Sequence, residues 1–460
     1  MKRNLFLTKP KPYQKQGIKK LIDMGRALLA DDMGLGKTLQ SLYAAIPLRR
    51  KKPIIVVCPA SVKYGWEEEV KQHTGMRSWV LEGRKPLPRL PLYVPPVVII
   101  NWDILQNWDK FLSKLNPQVV IADESQFAKS HKAARTKALK RLCKNVPFVF
   151  CLTGTPIENR PSELFTALHL LRPDIFDSWY SFANRYCGPK HTYWGTTYDG
   201  ATNIDELRQI LVDHVMIRRR REEVLPELPP VTPHLVPLQI NLEEYQAAEE
   251  DIRLWLIRRG LAFSGKINAL ALTKMTHLLK LVAQLKLNNA IDWIRTFLET
   301  TDEKLVVFGF HRSILEHVYQ EFYEEAVLVY GGVSGRKRQA SIDEFATNPS
   351  KRLFIGNILA AGTGINKLQR VSCNACFLEF IWTPTKISQA IGRLNRLGQT
   401  RAVTVHYLVA YGTIEHKLCR ALQKKQAIID QTIDGTLDES EFDVLTPLVM
   451  DLTKRKRTDV

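Results

Sequence analysis

The stretch Ala27-Leu28-Leu29-Ala30-Asp31-Asp32-Met33-Gly34-Leu35-Gly36-Lys37-Thr38 decides how the chain is read. Ala27 to Ala30 has the length and apolar character of a buried strand. A glycine-bearing turn follows, and Lys37-Thr38 opens a helical pattern. The stretch compares with the phosphate-loop pattern GxxxxGK[ST]. Gly36, Lys37 and Thr38 match it, while Asp31 stands where the first glycine is usual. The physical requirements survive that change. Gly34 and Gly36 let backbone N–H groups turn toward a phosphate. A helix starting near Lys37 points its positive dipole end at the same anion. Lys37 is predicted to reach the β- and γ-phosphates of a nucleotide, and Thr38 to ligate Mg2+. The plain alternative is a glycine turn that merely starts a helix. Strand, turn, GKT and helix together favour nucleotide binding.

Such a site needs a metal-holding carboxylate at the end of a neighbouring strand. Val119-Val120-Ile121-Ala122-Asp123-Glu124 supplies one. Asp123 is predicted to bind Mg2+, and Glu124 to position and deprotonate the attacking water. Phosphoryl transfer also needs cations on its transition-state charge. The stretch at 389–399 offers Arg393 and Arg396. On a helix these would share one face, as residues three apart do. A surface salt-bridge pair is the bland reading of the same two residues.

Outward from these motifs the chain reads as two similar halves. Short apolar runs recur at Ala27–Ala30, Ile54–Cys58, Val97–Ile100, Val119–Ala122 and Phe148–Leu152. They return at Leu305–Phe308, Val327–Tyr330, Leu353–Ile355, Cys376–Phe380 and Val403–Val409. Most show no polar alternation, as expected of parallel strands covered on both faces. Amphipathic segments between them serve as crossover helices. The expected fold is α/β, with two tandem parallel-sheet domains spanning 1–230 and 231–460. The region 160–300 reads as helical. Leu225-Pro226-Glu227-Leu228-Pro229-Pro230-Val231-Thr232-Pro233 reads as a stiff extended linker between the domains.

Composition narrows the class. Of 460 residues, 45% are apolar and 25% charged, which is ordinary globular usage. The net charge of +19 points to a polyanionic partner, nucleic acid before anionic membrane. No run of about 18 apolar residues suggests a membrane span. The N-terminus shows no signal-length apolar core. Seven scattered cysteines read as buried thiols of a reducing compartment, and Cys373 and Cys376 lack a second pair for a zinc site.

At this point the residues resemble the Swi/Snf (Snf-two) family of DNA-dependent ATPases in helicase superfamily two. The resemblance covers nearly the whole chain. Pro12-Tyr13-Gln14-Lys15-Gln16-Gly17 is similar to the segment preceding the phosphate loop, whose glutamine reads adenine. Ala30 to Thr38 resembles ADEMGLGKT, with Asp32 for Glu, and the family's own aspartate at position 31 accounts for the missing glycine. Cys58-Pro59-Ala60-Ser61-Val62 and Trp66 resemble motif Ia, and Asn101-Trp102-Asp103 the segment near Ib. Asp123-Glu124-Ser125-Gln126 stands where relatives have DEAH or DESH. Leu152-Thr153-Gly154-Thr155-Pro156-Ile157-Glu158-Asn159 is similar to LTGTPxQN. Ala360-Ala361-Gly362-Thr363-Gly364-Ile365-Asn366 resembles motif V, Trp382-Thr383-Pro384 the WNP element, and the Arg393/Arg396 block motif VI. Gln126 and Asn395 each replace a usual histidine. Phe182-Ala183-Asn184-Arg185-Tyr186-Cys187 and the compact core are most similar to the annealing-helicase (HepA-related) branch.

The resemblance implies two RecA-like lobes, each with a helical protrusion, at about 160–215 and 240–295, and a brace between them. It implies ATP and Mg2+, with Tyr13, Gln14, Asp32, Met33, Gly34, Leu35, Gly36, Lys37, Thr38, Gly364 and Asn366 on the nucleotide and Thr38 and Asp123 on the metal. It implies catalytic roles for Lys37, Asp123, Glu124, Arg393 and Arg396. It places DNA at Ser61, Lys63, Asn101, Trp102, His311, Arg312 and Thr363, with Gly364 a further candidate. The basic stretch from Lys129 to Lys144 adds phosphate contacts, Lys129 among them. For Arg218-Arg219-Arg220-Arg221 a structural brace and a DNA contact both stand. Trp255 and Trp293 read as protrusion cores rather than base-stacking platforms.

The expectation is an ATP-driven translocase on double-stranded or forked DNA, acting as a monomer. Strand annealing and fork remodelling are its candidate outcomes. The alternatives are a strand-separating helicase and a nucleotide-gated DNA clamp with little hydrolysis. Location would be cytoplasmic and DNA-associated in a bacterial or viral setting, nuclear in a eukaryote. The basic tail Lys454-Arg455-Lys456-Arg457 reads equally as a nuclear signal or a DNA-binding end.

Overall fold

The computed structural model describes residues 6–154, 156, 161–192, 195–198, 200–258, 269–333, 335–361, 367–381 and 384–418. The chain divides into two compact units, Met1–Leu228 and Pro229–Val460.

The strands of the first unit are β1 (Arg26–Leu29), β2 (Ile54–Cys58), β3 (Ser78–Val80), β4 (Val97–Asn101), β5 (Val119–Asp123), β6 (Phe148–Leu152), β7 (Lys190–Thr192), β8 (Gly195–Thr197) and β9 (Met216–Ile217). Among the described residues, seven of them form one parallel sheet in the order β3-β4-β2-β5-β6-β1-β9. β7 and β8 form a separate antiparallel hairpin. Successive residues of a strand feed opposite cores. Leu28, Ile55, Val57, Val98, Val120 and Val149 pack on one face, and Leu29, Val56, Ile99, Ile121 and Phe150 on the other. Both faces are dry, which explains the unbroken apolar runs. Because the strands are parallel, the loops after β1 and β5 open on the same edge of the sheet, where ligands of open α/β sheets bind.

The second unit carries β10 (Val231–Leu238), β11 (Leu305–Gly309), β12 (Ala326–Val329), β13 (Leu353–Asn357), β14 (Asn374–Phe377) and β15 (Val403–Ala410). Its parallel order is β10-β15-β14-β11-β13-β12. Two cores again split alternate residues. Val306, Phe308, Phe354 and Val405 lie on one side, and Leu305, Val307, Ile355 and Leu408 on the other.

One expectation is corrected here. The proline-rich stretch read as a linker is partly strand, because β10 begins at Val231 and includes Pro233 and Pro237. It lies at the sheet edge, the place where proline is tolerated. The helical regions are present as Phe165–Leu171, Trp179–Tyr186 and Ile204–His214 in the first unit, and Leu242–Arg258, Ala269–Leu285 and Leu287–Thr300 in the second. Leu256 is buried and Trp255 and Trp293 pack against the second unit's cores. Cys58, Cys143, Cys151, Cys187, Cys373 and Cys376 are free and buried.

Candidate nucleotide site

The loop after β1 carries two glycines in left-handed conformations, Gly34 at φ 85° and Gly36 at φ 73°. Gly36 precedes the helix Lys37–Leu48. A Cβ there would lie 2.5 Å from Gln14 Nε2, so the position needs glycine for space as well as for φ. The ammonium of Lys37 donates to the carbonyls of Asp31 (2.6 Å) and Asp32 (3.0 Å). Burial lowers its pKa, while Asp31, Glu124, Asp123 and Asp32 act in the opposite direction. A Cβ on Gly154 would stand 3.4 Å from Lys37 Nζ, so the Thr153-Gly154 turn reaches the same lysine. Tyr13 and Gln14 lie on the helix Pro12–Met24. The Tyr13 hydroxyl (3.2 Å) and Gln14 Nε2 (3.1 Å) both donate to the carbonyl of Leu35. Gln14, Gly36 and Lys37 are thereby gathered around one loop.

Asp31 takes the place of the expected first glycine because it has a partner. It is fully buried. Arg219 grips it with two nitrogens, Nε to Oδ1 at 2.9 Å and Nη2 to Oδ2 at 2.5 Å. Arg219 Nη2 also donates to Gln40 Oε1 (2.7 Å), Gln40 Nε2 returns a bond to Asp31 (3.0 Å), and Arg219 Nη1 donates to the carbonyl of Tyr13. Arg218 donates to the carbonyl of Ala30 (2.9 Å) and pairs with Asp32 (3.3 Å). Of the two readings of this arginine run, the geometry assigns Arg218 and Arg219 a structural task on the phosphate loop.

Asp123 ends β5 within reach of two tryptophans. Trp66 Nε1 donates to its carboxylate (2.8 Å) and Trp102 Nε1 to its carbonyl (3.0 Å). Burial, then the charge of Glu124, pushes the Asp123 carboxyl up to about 7, against the Trp66 bond and Lys37. Glu124 adopts a left-handed backbone, φ 48° and ψ 56°, unusual for a residue with a Cβ and characteristic of strained functional positions. Gln126 Nε2 donates to Glu124 Oε2 at 2.6 Å. Its own Oε1 is buried without a partner among the described residues. The donor set suits a triphosphate and a divalent cation. A buried lysine at the head of the helix offers charge to an anion, and two adjacent carboxylates that repel each other would be relieved by a metal.

Several residues expected at DNA are buried or paired within the protein. Trp102 is fully buried and packs against the first core, so its ring is not offered to a ligand. Lys63 is buried with its ammonium on the carbonyl of Leu81 (2.9 Å), and the buried Asn101 donates to Asp103 (3.1 Å). Lys63 and Trp102 turn inward to satisfy the carbonyls of Leu81, just after β3, and of Asp123, at the end of β5. Ser61 is half-buried on the short turn Ala60–Val62. Lys129 pairs with Glu163 at 2.9 Å. His131, Lys132, Lys137 and Lys144 are exposed, and Arg141 is exposed while pairing with Asp109 (2.6 Å).

In the second unit His311 Nδ1 meets Glu379 Oε1 at 2.5 Å, and the same carboxylate accepts the amides of Phe310 and His311 at 2.7 and 2.9 Å. Arg312 is exposed, pairs with Glu316 (2.7 Å) and lies 4.4 Å from the centroid of the Tyr330 ring. Arg393 and Arg396 do not lie along one helical face. The helix Pro384–Ile391 ends before them, and Gly392 to Gly398 runs in turns. Asn395 is buried and donates to the carbonyl of Pro229 (2.9 Å), so it ties this turn to the start of its unit. Thr363, Gly364 and Asn366 lie outside the described residues, as do Trp382, Thr383, Thr155, Ile157 to Asn159 and the basic tail.

Residues 13–291 match the SNF2-related domain, and residues 286–398 the helicase conserved C-terminal domain. The chain is 32% identical over 444 residues to the SWI/SNF-related matrix-associated actin-dependent regulator of chromatin subfamily A-like protein 1 of Xenopus tropicalis, covering 95% of this chain and 46% of that protein. It is 31% identical over 450 residues to the DNA annealing helicase and endonuclease ZRANB3 of Mus musculus, covering 93% and 41%. The chain thus spans under half the length of these curated relatives. Among solved structures, the Sulfolobus solfataricus SWI2/SNF2 ATPase core in complex with dsDNA covers 99% of this chain and is covered to 98%, at 22% identity and a TM-score of 0.45. A phosphate loop braced by its own aspartate, a strand ending in Asp-Glu, and a family match across well over half of the sequence lead to one statement: the chain belongs to the SNF2-related domain family.

Proposed function

We propose that the protein is a DNA-dependent ATPase that hydrolyses ATP to move along double-stranded DNA, with strand annealing or fork remodelling as the outcome. The observation that carries this reading is the convergence of Lys37, Asp123 and Glu124. Lys37 opens the helix after β1, Asp123 ends β5 with Glu124 just after it, and with only β6 between these parallel strands all three stand at one edge of the sheet. ATP is the substrate. Lys37 leaves the carbonyls of Asp31 and Asp32 to bind its β- and γ-phosphates. Glu124, held in one orientation by its backbone and by Gln126, positions the attacking water and takes its proton. Thr38 and Asp123 are the groups that would hold Mg2+, whose charge offsets that of the phosphates. Arg393 and Arg396 are proposed to balance the transition-state charge. The exposed cations Lys132, Lys137 and Lys144 form the strongest remaining candidates for phosphate contacts on DNA.

The Gln126–Glu124 bond supports a second reading, a nucleotide-gated clamp that binds DNA and hydrolyses little. Steady-state ATP hydrolysis with no DNA, single strands, blunt duplex and forked duplex separates the two. Strong stimulation by duplex or fork supports the translocase, and preference for the fork supports the annealing outcome. Best stimulation by single strands favours a strand-separating helicase. No turnover at saturating DNA favours the clamp.

A further inference from the structure

We infer that Arg219 is a positioning residue for ATP turnover: it shapes the phosphate loop from the chain segment that leads out of the first unit, so that loop and exit segment answer to nucleotide together. The inference rests on the ATPase reading above.

Three sets of contacts converge on this one side chain. Its Nε and Nη2 occupy both oxygens of Asp31. The carbonyls of Asp31 and Asp32 are the acceptors of the Lys37 ammonium. The backbone that seats the phosphate-binding lysine is therefore held by Arg219. Its Nη1 donates to the carbonyl of Tyr13, and its guanidinium lies 5.4 Å from the centroid of the Tyr13 ring. The Tyr13 hydroxyl and the neighbouring Gln14 amide close on Leu35 within the same loop. Its Nη2 also reaches Gln40, on the helix that the loop starts. Arg219 thus touches the segment before the loop, the loop itself and the helix after it.

The exit segment is fastened to the loop by backbone as well. The amide of Asp32 donates to the carbonyl of Arg219 (3.1 Å), and the amide of Arg221 donates to Asp32 Oδ2 (2.9 Å). Farther along, Leu225 is buried and Glu227 pairs with Lys11 at 2.6 Å, just before Tyr13. The first unit ends at Leu228. A loop that shifts to take up a triphosphate must move Asp31 and Asp32, and these cannot move without carrying residues 218–221. An apolar side chain could fill the same space without desolvating a charge, and a buried ion pair is weak as a stabilising device. A bidentate fork that fixes direction as well as distance suits positioning better.

The test uses the full chain. Arg219→Lys keeps the charge and loses the fork. KM for ATP should rise about tenfold or more, as loss of a charged hydrogen bond implies, while kcat at saturating DNA changes by less than about threefold. In the wild type, a non-hydrolysable ATP analogue with Mg2+ should slow amide exchange across residues 217–228, and in Arg219→Lys that slowing should vanish. Asp31→Asn, which keeps the shape of the acceptor, should show the same split and serves if Arg219→Lys does not fold. Exchange across β4 and β5 reports folding in both variants. An unchanged KM in a folded variant overturns the inference. So does a wild type whose exit segment ignores nucleotide, which needs no variant at all. Lys37→Ala separates the levels. If it leaves turnover unchanged, the ATPase reading itself fails. If it abolishes turnover while Arg219→Lys keeps its KM, only the inference falls.

Discussion

Lys286 and Glu415 form an ion pair of 2.6 Å inside the second unit, with side chains 1% and 2% exposed. Lys286 Nζ also donates to the carbonyl of Leu408 (2.5 Å), and Glu415 Oε2 accepts the amide of Ala410 (2.9 Å). Lys286→Met removes the cation and leaves a carboxylate that cannot stay charged in that place. Burial already raises the Glu415 pKa above its ordinary 4.5, and loss of Lys286 removes the opposing influence. The variant must therefore take up a proton. At pH 7 that costs about 3.4 kcal/mol against an unfolded group of ordinary pKa, and at pH 5 about 0.8 kcal/mol. The carbonyl left behind adds about 1 kcal/mol at either pH. The sign follows from the raised folded pKa: stability is present at low pH and lost as pH rises above 4.5. The expected loss is about 4 kcal/mol at pH 7 and about 2 kcal/mol at pH 5, in line with other buried pairs broken on one side. Amide exchange across β14 and β15 of the full chain reads it, with β2 and β5 of the first unit as internal control. Lys286→Met with Glu415→Gln should recover to within about 2 kcal/mol of the wild type. A loss below about 1.5 kcal/mol at pH 7, or one equal at both pH values, would refute the reasoning.

Three further outcomes are expected. Glu124→Gln should cut ATP turnover by about 10²–10⁴-fold, the usual worth of a positioned base, while leaving nucleotide binding within about threefold by fluorescence titration. Trp102→Phe should cost about 1–3 kcal/mol by leaving the Asp123 carbonyl without its donor and leave duplex affinity at fixed salt unchanged. A selective loss of affinity at unchanged stability would restore Trp102 as a DNA contact. His406 is held down to about 4 by burial and by His234, against an ordinary 6.5. The unfolded chain then binds the extra proton first. The His406 contribution to the second unit's stability should be fully present above pH 6.5 and be lost as pH falls toward 4, by about 1–2 kcal/mol after discounting for solvent screening. Urea unfolding at pH 7.5 and 5 checks this, and His406→Phe should flatten the slope.

Most of the fold was legible because its signal is local. Strands dry on both faces read as unbroken apolar runs, and β2 and β6 have the ends expected of them. β3 and β9, at three and two residues, are too short to show a pattern. β10 was hidden by its prolines, which argue against a central strand and are silent about an edge. In the site, the loop and the Asp-Glu strand end announce themselves, since each motif is contiguous. The Arg219–Asp31 clamp does not, because its members stand 188 residues apart and nothing local pairs them. The inward turn of Trp102 and Lys63 was hidden for a related reason. At a strand end, residue type permits either an inward or an outward turn, and packing decides. The turns at Arg393 and Arg396 had a visible warning in Gly392 and Gly398, which disfavour a continuing helix.

The central claim is that ATP hydrolysis at Lys37, Asp123 and Glu124 drives movement along duplex DNA. Displacement of a triplex-forming oligonucleotide from one end of a blunt duplex tests it most directly. The wild type should displace the third strand with ATP and Mg2+, and neither Lys37→Ala nor a non-hydrolysable analogue should do so. A wild type whose ATP turnover is stimulated by the duplex while the third strand stays in place would contradict the claim, as would displacement by Lys37→Ala at the wild-type rate.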